Sequence, residues 1–496
     1  MPWGKACLIC GVLSFSLPVD YVSAAEDTGA GGDIASSAQH ADPDGPAIVE
    51  RQLQDADEQL IRSEPYLHLL GTYQAWSPIT SGVSIQRAIA LALKRDVSLA
   101  AAREQVVEAD YAKKNAVWSY LPRITASTEF AQVDQSVINT DNQVFQEGDA
   151  TFKTLVAQLE LVQPIFDLAR IRGLHIAEGE RAASRAALVA ESHEVVYTLV
   201  TAYLRALEKK AQLDGVEQRL KLLGEQEQNE QKLENTGFAT GDASDLIALE
   251  IGAAQSEQIS LSSQYSMALV ELSRMAGHPI DQLVPVQVSE EVHRLVDSGS
   301  VESLIRQALT DNPRVNLQRL ETLGALRSFK QQRASELVPT LDGFFRGEYE
   351  DREASRFGGG SETFDNTIGL RLAIPLLNAS GRGYTSREAR SQYHQAVLRE
   401  ANLLREIEVE VATLMPRLAA EHAVLAQADA VIEASEALVE RAEKAAGTGF
   451  GTEMLVLRHS LQLELAKARA EQARYAFLTT WVRLAYLIGE PIEVMF

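Results

Sequence analysis

The 496-residue sequence predicts a mainly α-helical protein with membrane-crossing β-strands, in which one helix–strand–strand–long helix–return helix unit is written twice. Three observations predict this. The first is internal repetition: Met275-Ala276-Gly277-His278-Pro279-Ile280 recurs as Leu487-Ile488-Gly489-Glu490-Pro491-Ile492, and Thr236-Gly237-Phe238-Ala239-Thr240 as Thr448-Gly449-Phe450-Gly451-Thr452, both 212 positions on. Val162-Gln163-Pro164-Ile165-Phe166 has its counterpart in Ala373-Ile374-Pro375-Leu376-Leu377, Leu121-Pro122 in Val338-Pro339, and Ala92-Leu93 in Ala308-Leu309. A period this long marks a structural half and not a solenoid unit. The second observation is a pair of period-two runs in each half. The third is a very long, proline-poor helical stretch after each pair.

Taken in order, the chain opens on Lys5, an apolar run from Ala6 to Val19 and the small residues Ser23-Ala24-Ala25, which together read as a secretory signal peptide over 1–25. The apolar run is too short for a spanning helix. Both cysteines, Cys7 and Cys10, fall inside it, and neither follows a lipoprotein box. The mature chain is therefore expected to have no thiol, which removes disulfides, cysteine-ligated metals and thiol catalysis. Residues 26–80 are expected to be a disordered leader, rich in Gly, Ala, Ser, Asp and Pro, followed by an extension outside the repeat. The first repeat is placed at 81–283 and the second at 284–496.

From Ser84 to Tyr120 helical periodicity is strong, with Ile85, Ile89, Ala92, Leu93 and Leu99 along one stripe and Pro122 after the end. The period then changes to two. Ile124, Ala126 and Phe130 alternate with polar residues up to Glu129, and Leu155, Ala157, Leu159 and Leu161 alternate with Gln158 and Glu160. In the second half Leu341, Phe345 and Tyr349 alternate with Asp342, Arg346 and Glu348, and Ile368, Leu370 and Leu372 with Thr367 and Arg371. Runs of about 10 residues suit a tilted strand crossing a bilayer, although a soluble two-faced sheet has the same alternation. Polar loops, Asp134 to Ala150 and Glu350 to Glu362, join the pairs. Four strands cannot close in lipid, because open edges leave backbone groups unpaired; several copies have to pool them.

The long helices are expected over Leu168–Asn235 and Gly381–Ala446, the second holding Pro416. About 65 residues at 1.5 Å each reach roughly 100 Å, beyond any globular helix, and require coiled-coil partners. The tips turn at Gly237–Gly241 and Gly447–Gly451, and return helices run over Asp242–Ala276 and Glu453–Ile488 to a Gly-x-Pro stop. The formal net charge of −23 argues against a nucleic-acid partner. It fits either an acidic lumen or simple solubility. The nine histidines are scattered, and neither a Gly-x-Ser-x-Gly turn nor a phosphate-binding loop is present, so the chain is not expected to be an enzyme or to hold a cofactor or metal.

This doubled order resembles the TolC family of outer-membrane efflux factors. The resemblance is carried by Ala308-Leu309-x-x-Asn312-Pro313 and its weaker partner Ala92-Leu93-x-x-Asp96-Val97, by Leu121-Pro122 and Val338-Pro339, by Pro164-Ile165 and Pro375-Leu376, and by the paired tips and Gly-x-Pro-Ile ends. It covers about residues 80–496. It implies a homotrimer whose twelve strands form one outer-membrane β-barrel in lipid, continued by a helical barrel through the periplasm. It also implies a passive exit duct of a tripartite efflux or type I secretion system, coupled to an inner-membrane pump through a periplasmic adaptor. A soluble periplasmic adaptor also has a long helical hairpin, but not two pairs of lipid-length strands. The resemblance places the periplasmic gate and adaptor contact at the tips, with Gly237, Gly241, Asp242, Asp245, Gly449, Gly451 and Glu453 as candidates. The second tip lacks the aspartates of the family's constricting ring, so an acidic ring would have to come from Asp242, Asp245 or Glu453; alternatively, the two aspartates only favour a helix start. Lumen candidates on the strands are Glu129, Glu160, Asp342, Arg346, Glu348 and Arg371.

Overall fold

The computed structural model describes residues 82–138, 148–236, 241–286, 300–355, 359–375 and 383–492. The expected signal peptide, leader and extension lie outside them. In chain order the described residues form α1 (Ile85–Arg95), α2 (Val97–Trp118), β1 (Arg123–Val137), β2 (Gly148–Phe166), α3 (Leu168–Asn235) and α4 (Gly241–Ala276). The same series follows as α5 (Val301–Asp311), α6 (Pro313–Leu337), β3 (Thr340–Arg352), β4 (Ser361–Ala373), α7 (Tyr384–Gly447) and α8 (Glu453–Ile488).

The single helix expected over Ser84–Tyr120 is two. Asp96 takes an extended conformation, with ψ at 129°, and its carboxylate accepts the Leu99 N–H at 3.1 Å to start α2. Asn312 does the same before Pro313, accepting the Arg314 N–H at 2.8 Å. An Asx cap followed by a helix-ready residue ends one helix and starts the next. The first half lacks the proline that would have announced the break. Further local contacts repeat at the matching spacing. Ser84 and Ser300 cap α1 and α5. Arg103 donates to the Leu93 carbonyl at 2.7 Å and Arg319 to the Leu309 carbonyl at 3.0 Å.

β1 to β4 make one antiparallel sheet in chain order, so β1 and β4 are its two edges. The strands exceed the expected length of about 10 residues; β2 runs for 19 and β1 for 15. Their pairing continues past the apolar run into the segments expected to be loops, as far as Val137 with Gly148 and Arg352 with Ser361. Near the helices a register shift between Pro164 and Phe166 bends β2 as it leaves the sheet. A proline cannot donate to a ladder, and a bulge is where a strand accommodates one.

The helices form a layer. α3 lies between α4 and α8 along the part remote from the sheet, and α7 packs on the other side of α8. Nearer the sheet the order is α2, α3, α6, α7. The main core sits where the return helices end against the short helices, and gathers Tyr203, Phe477, Leu478, Trp481 and Tyr486, all buried. Tyr203 Oη lies 2.7 Å from both the Val83 and Val284 carbonyls and accepts the Val284 N–H at 3.1 Å. Burial pushes that phenol well above its ordinary range. Asn312 donates to the Leu487 carbonyl at 2.9 Å, which locks the second half's helix break onto the end of its own return helix. There Gly489 sits at φ +76°, and an added Cβ would stand 2.6 Å from the Asp311 carbonyl oxygen. Gly277, at φ +61°, meets the side chain of Arg95 instead, where an added Cβ would stand 2.9 Å from its Cβ. These two glycines are therefore both conformational stops and close-approach points. Among the described residues no helix is long and apolar enough to cross a membrane.

Candidate channel-lining face and tip turns

The antiparallel register decides which strand residues share a face, because directly paired residues point the same way and neighbours along a strand alternate. Thr125, Glu160, Arg346 and Thr367 form one rung, and Ser127, Gln158, Glu348 and Asp365 the next. Glu129 lies one rung further out, and Asp342 opposite Arg371 lies toward the helices. The six lumen candidates thus fall on one face. Arg346 and Glu160 make an ion pair at 3.3 Å. Glu348 and Asp365, directly opposed and both acidic, make the outer part of this face more negative than its middle. Apolar residues on it, Phe152, Val156, Val162 and Phe344, were not flagged by alternation. Phe344 lies across Gly369, where a Cβ would stand 2.9 Å from its ring, and the Arg371 guanidinium sits 5.0 Å from the ring centroid. The glycine makes room for the ring.

The opposite face carries Ile124, Phe130, Leu155, Leu159, Leu161, Leu341, Phe345, Tyr349, Phe364, Ile368, Leu370 and Leu372. On the edge strands these side chains stand open: Ile368 is 84% exposed and Leu370 70%. A contiguous apolar face of this size on a single chain marks a membrane or partner surface. On β3 Tyr349 is the outermost of these side chains, and its hydroxyl donates to Glu362 at 3.0 Å. That is the placement an amphipathic ring takes where hydrocarbon gives way to water.

At the far end of the long helices are the tip turns. Gly237 lies outside the described residues; Gly241 and Asp242 open α4, and Asp245, less than one turn further on, is exposed. At the second tip Gly449 has φ +80°, and a Cβ on Gly451 would stand 2.9 Å from the Ala446 nitrogen. Gly451 therefore closes the turn on the last carbonyls of α7, with its N–H 3.0 Å from the Ala445 oxygen. Thr452 caps α8 by accepting the Leu455 N–H at 3.3 Å, and Glu453 follows in the first turn, where the helix dipole favours an acid. Phe450, at the apex, is 92% exposed.

What sequence reasoning missed lies between the halves, where α3 meets α8. Tyr486 donates to the Glu194 carboxylate, and its ring stacks on His193 with centroids 5.0 Å apart. The Arg483 guanidinium lies 5.2 Å from the Tyr197 ring and 5.3 Å from that of Tyr486, and bonds Glu410 of α7 at 2.5 Å. Burial, then the Glu194 carboxylate, push the Tyr486 phenol well above its ordinary range. The partners stand almost 300 residues apart, so no local signal announces them.

The geometry is that of a wall with a polar side, an apolar side and helical hairpins hanging from it. Known proteins share it. The family model described as outer membrane efflux protein matches residues 304–490. The alkaline protease secretion protein AprF of Pseudomonas aeruginosa is 21% identical over 74% of this chain and 76% of its own length. The proteases secretion protein PrtF of Dickeya chrysanthemi is 20% identical over 47% of this chain and about half of its own length, 51%. Among solved structures, the outer membrane protein VceC of Vibrio cholerae superposes with a TM-score of 0.66 at 16% identity, over 82% of this chain and 96% of that one. The MtrE outer membrane channel of Neisseria gonorrhoeae, in its open state, gives 0.63 at 14% identity over 84% and 95%. Residues 304–490 thus match the outer membrane efflux protein family, and the fold of the chain is that of these solved outer membrane proteins.

Proposed function

We propose that three copies of this chain close into a ring that serves as a passive exit duct, taking cargo from an inner-membrane pump and a periplasmic adaptor and releasing it outside the cell. The chain is an outer-membrane transport protein reaching into the periplasm, and not an enzyme. Residues 1–25 act as the signal peptide and 26–80 as a leader, and the repeats span 81–283 and 284–496.

One observation carries the reading. The sheet has an apolar face suited to lipid and two edges, β1 and β4, with no strand beside them among the described residues. Unpaired edges are not tolerated in hydrocarbon, so the β4 edge of one copy has to meet the β1 edge of the next. Three copies bring twelve strands. The helical layer supports the same closure. On α4, Leu246, Leu249, Ala253, Ser256 and Ser260 are exposed, followed by Met267 and Val270. On α7, Val424, Val431, Ala434 and Leu438 are exposed, with the polar Gln427 set among them. Both sets follow steps of three and four residues, the spacing of a coiled-coil seam. α4 and α7 are the two outer helices of the layer. With both edges used head to tail, the assembly closes as a ring.

In such a ring Glu129, Glu160, Asp342, Arg346, Glu348 and Arg371 line the lumen, and the tips carry the gate and the adaptor contact. The secretion relatives favour a polypeptide cargo. Energy comes from the pump, and the duct supplies only a path. Purified protein in a planar bilayer is expected to conduct ions without nucleotide. Inserted protein that conducts nothing, with both tips removed, would contradict the reading.

A further inference from the structure

The duplication makes the α3–α8 junction inside one copy a template for the α7–α4 junction between copies, and from it we infer that Glu406 of one copy pairs with Arg274 of its neighbour. The inference rests on the ring reading above. The 212-residue offset fixes the register, because it pairs buried positions with buried positions: Leu199 with Val411, Tyr203 with Met415, Ala206 with Leu418, and Ala276 with Ile488. It also relates the two kinds of seam. Within a copy, Gln212, Gly215 and Arg219 of α3 line one cleft with Leu465, Ala468 and Gln472 of α8. The offset turns the first three into Val424, Gln427 and Val431, and the last three into Ala253, Ser256 and Ser260. All six are exposed, and all belong to the open seams on α7 and α4.

One substitution within that register changes the character of the contact. Inside a copy the two helices close on a bare glycine: a Cβ added to Gly215 would lie 3.2 Å from that of Ala468. Between copies the matching pair is Gln427 and Ser256, an amide facing a hydroxyl, which can hydrogen-bond where the internal pair has no polar side-chain atom.

Carried along the same helices, the offset maps Glu194 onto Glu406 and Tyr486 onto Arg274. In the internal junction the Tyr486 hydroxyl donates to the Glu194 carboxylate. Between copies a guanidinium would donate to a carboxylate in its place. The donor stays on the return helix and the acceptor on the long helix. The surroundings become more charged as well: His193 becomes Arg405 and Arg483 becomes Glu271, while the Tyr197 ring gives way to Val409. Glu271, Arg274, Arg405 and Glu406 are all exposed, and none makes an ion pair among the described residues. Two acids and two bases make the quartet neutral. The half-buried cluster of aromatic and charged groups that joins the halves of a copy is thus replaced, at the contact between copies, by four exposed charges. Such a contact answers to salt and to charge reversal more strongly than the internal one.

Two sets of variants of the full chain, extracted in mild detergent, test this. Gln427→Cys with Ser256→Cys is expected to give a disulfide between copies, seen as a trimer ladder on a non-reducing gel, because the template brings their Cβ atoms to 3.2 Å, and a small widening reaches the roughly 3.5–4.5 Å that a disulfide spans. Glu406→Arg and Arg274→Glu alone are each expected to lower the trimer-to-monomer ratio about fivefold, most strongly at low salt, and the double reversal to restore it. Cross-linking without restoration would overturn the Glu406–Arg274 pair. A double-cysteine variant that is trimeric but never bridges would overturn the template. A wild type that is not trimeric would remove the ring reading, and this inference with it.

Discussion

In the helical body Trp481, Phe477 and Tyr203 are sealed by residues of their own chain, whereas in the sheet Ile368, Leu370 and Phe130 stand open on edge strands that no other described strand pairs. Both regions are rich in apolar side chains, so composition does not separate them. What differs is closure. A helix satisfies its backbone within itself, and its apolar stripe needs only a neighbouring helix, which the second repeat supplies. A strand leaves its backbone groups to the next strand, and at β1 and β4 the described residues provide none. One copy can therefore finish its core but not its membrane wall.

The contrast is sharpened first by a variant that should strike folding and spare assembly. Trp481→Ala empties the centre of the core and is expected to cost about 3–5 kcal/mol. It should lower the unfolding midpoint of solubilised protein followed by circular dichroism. An unchanged midpoint would mean that the core is not the stability centre of the chain. The converse variant strikes the sheet. An Arg on a lipid-facing strand position costs roughly 2–4 kcal/mol at the midplane. Leu370→Arg should accordingly cut the yield of assembled protein in the outer membrane far more than Arg371→Leu, one residue away. Equal yields would show that the two faces have been assigned the wrong way round.

A smaller effect is expected where the helix break meets the return helix. Asn312→Ala leaves the Leu487 carbonyl buried without its donor, at a cost of about 1–3 kcal/mol. Asp96→Ala removes a more exposed cap and should cost about 1 kcal/mol. Paired thermal melts would separate them, and a reversed order would place the weight of the fold in the first half. The smallest structural change is expected at the tips. Replacing Asp242 and Asp245 together with Ala should weaken block by multivalent cations in single-channel recordings and leave the barrel unaltered. Unchanged block would reduce both aspartates to helix-start acids.

The fold was legible where one residue type repeats at a fixed step. Leu341, Phe345 and Tyr349 against Asp342, Arg346 and Glu348 gave the two faces, and the Gly-x-Pro motifs gave the ends of both return helices. It was illegible where a contact, and not a pattern, decides. Asp96 breaks a helix by capping the next one, which its apolar stripe conceals. The strands run past their apolar stretches because Asp134, Thr151, Ser136 and Asp149 go on pairing across β1 and β2. Here two side-chain hydrogen bonds of 2.6 Å reinforce the ladder. The exposed seam on α4 was present in the spacing of Leu246, Leu249, Ala253 and Ser256. Only the packing of the other side of that helix shows the seam to be unpartnered. The Glu194–Tyr486 cluster had no sequence signal of any kind.

The claim that one copy completes its core but borrows its wall is tested most directly by the mass of the purified, full-length protein in mild detergent. The account predicts three copies in one detergent-bound particle. A monomer, or a protein that stays dispersed with no detergent at all, would contradict it.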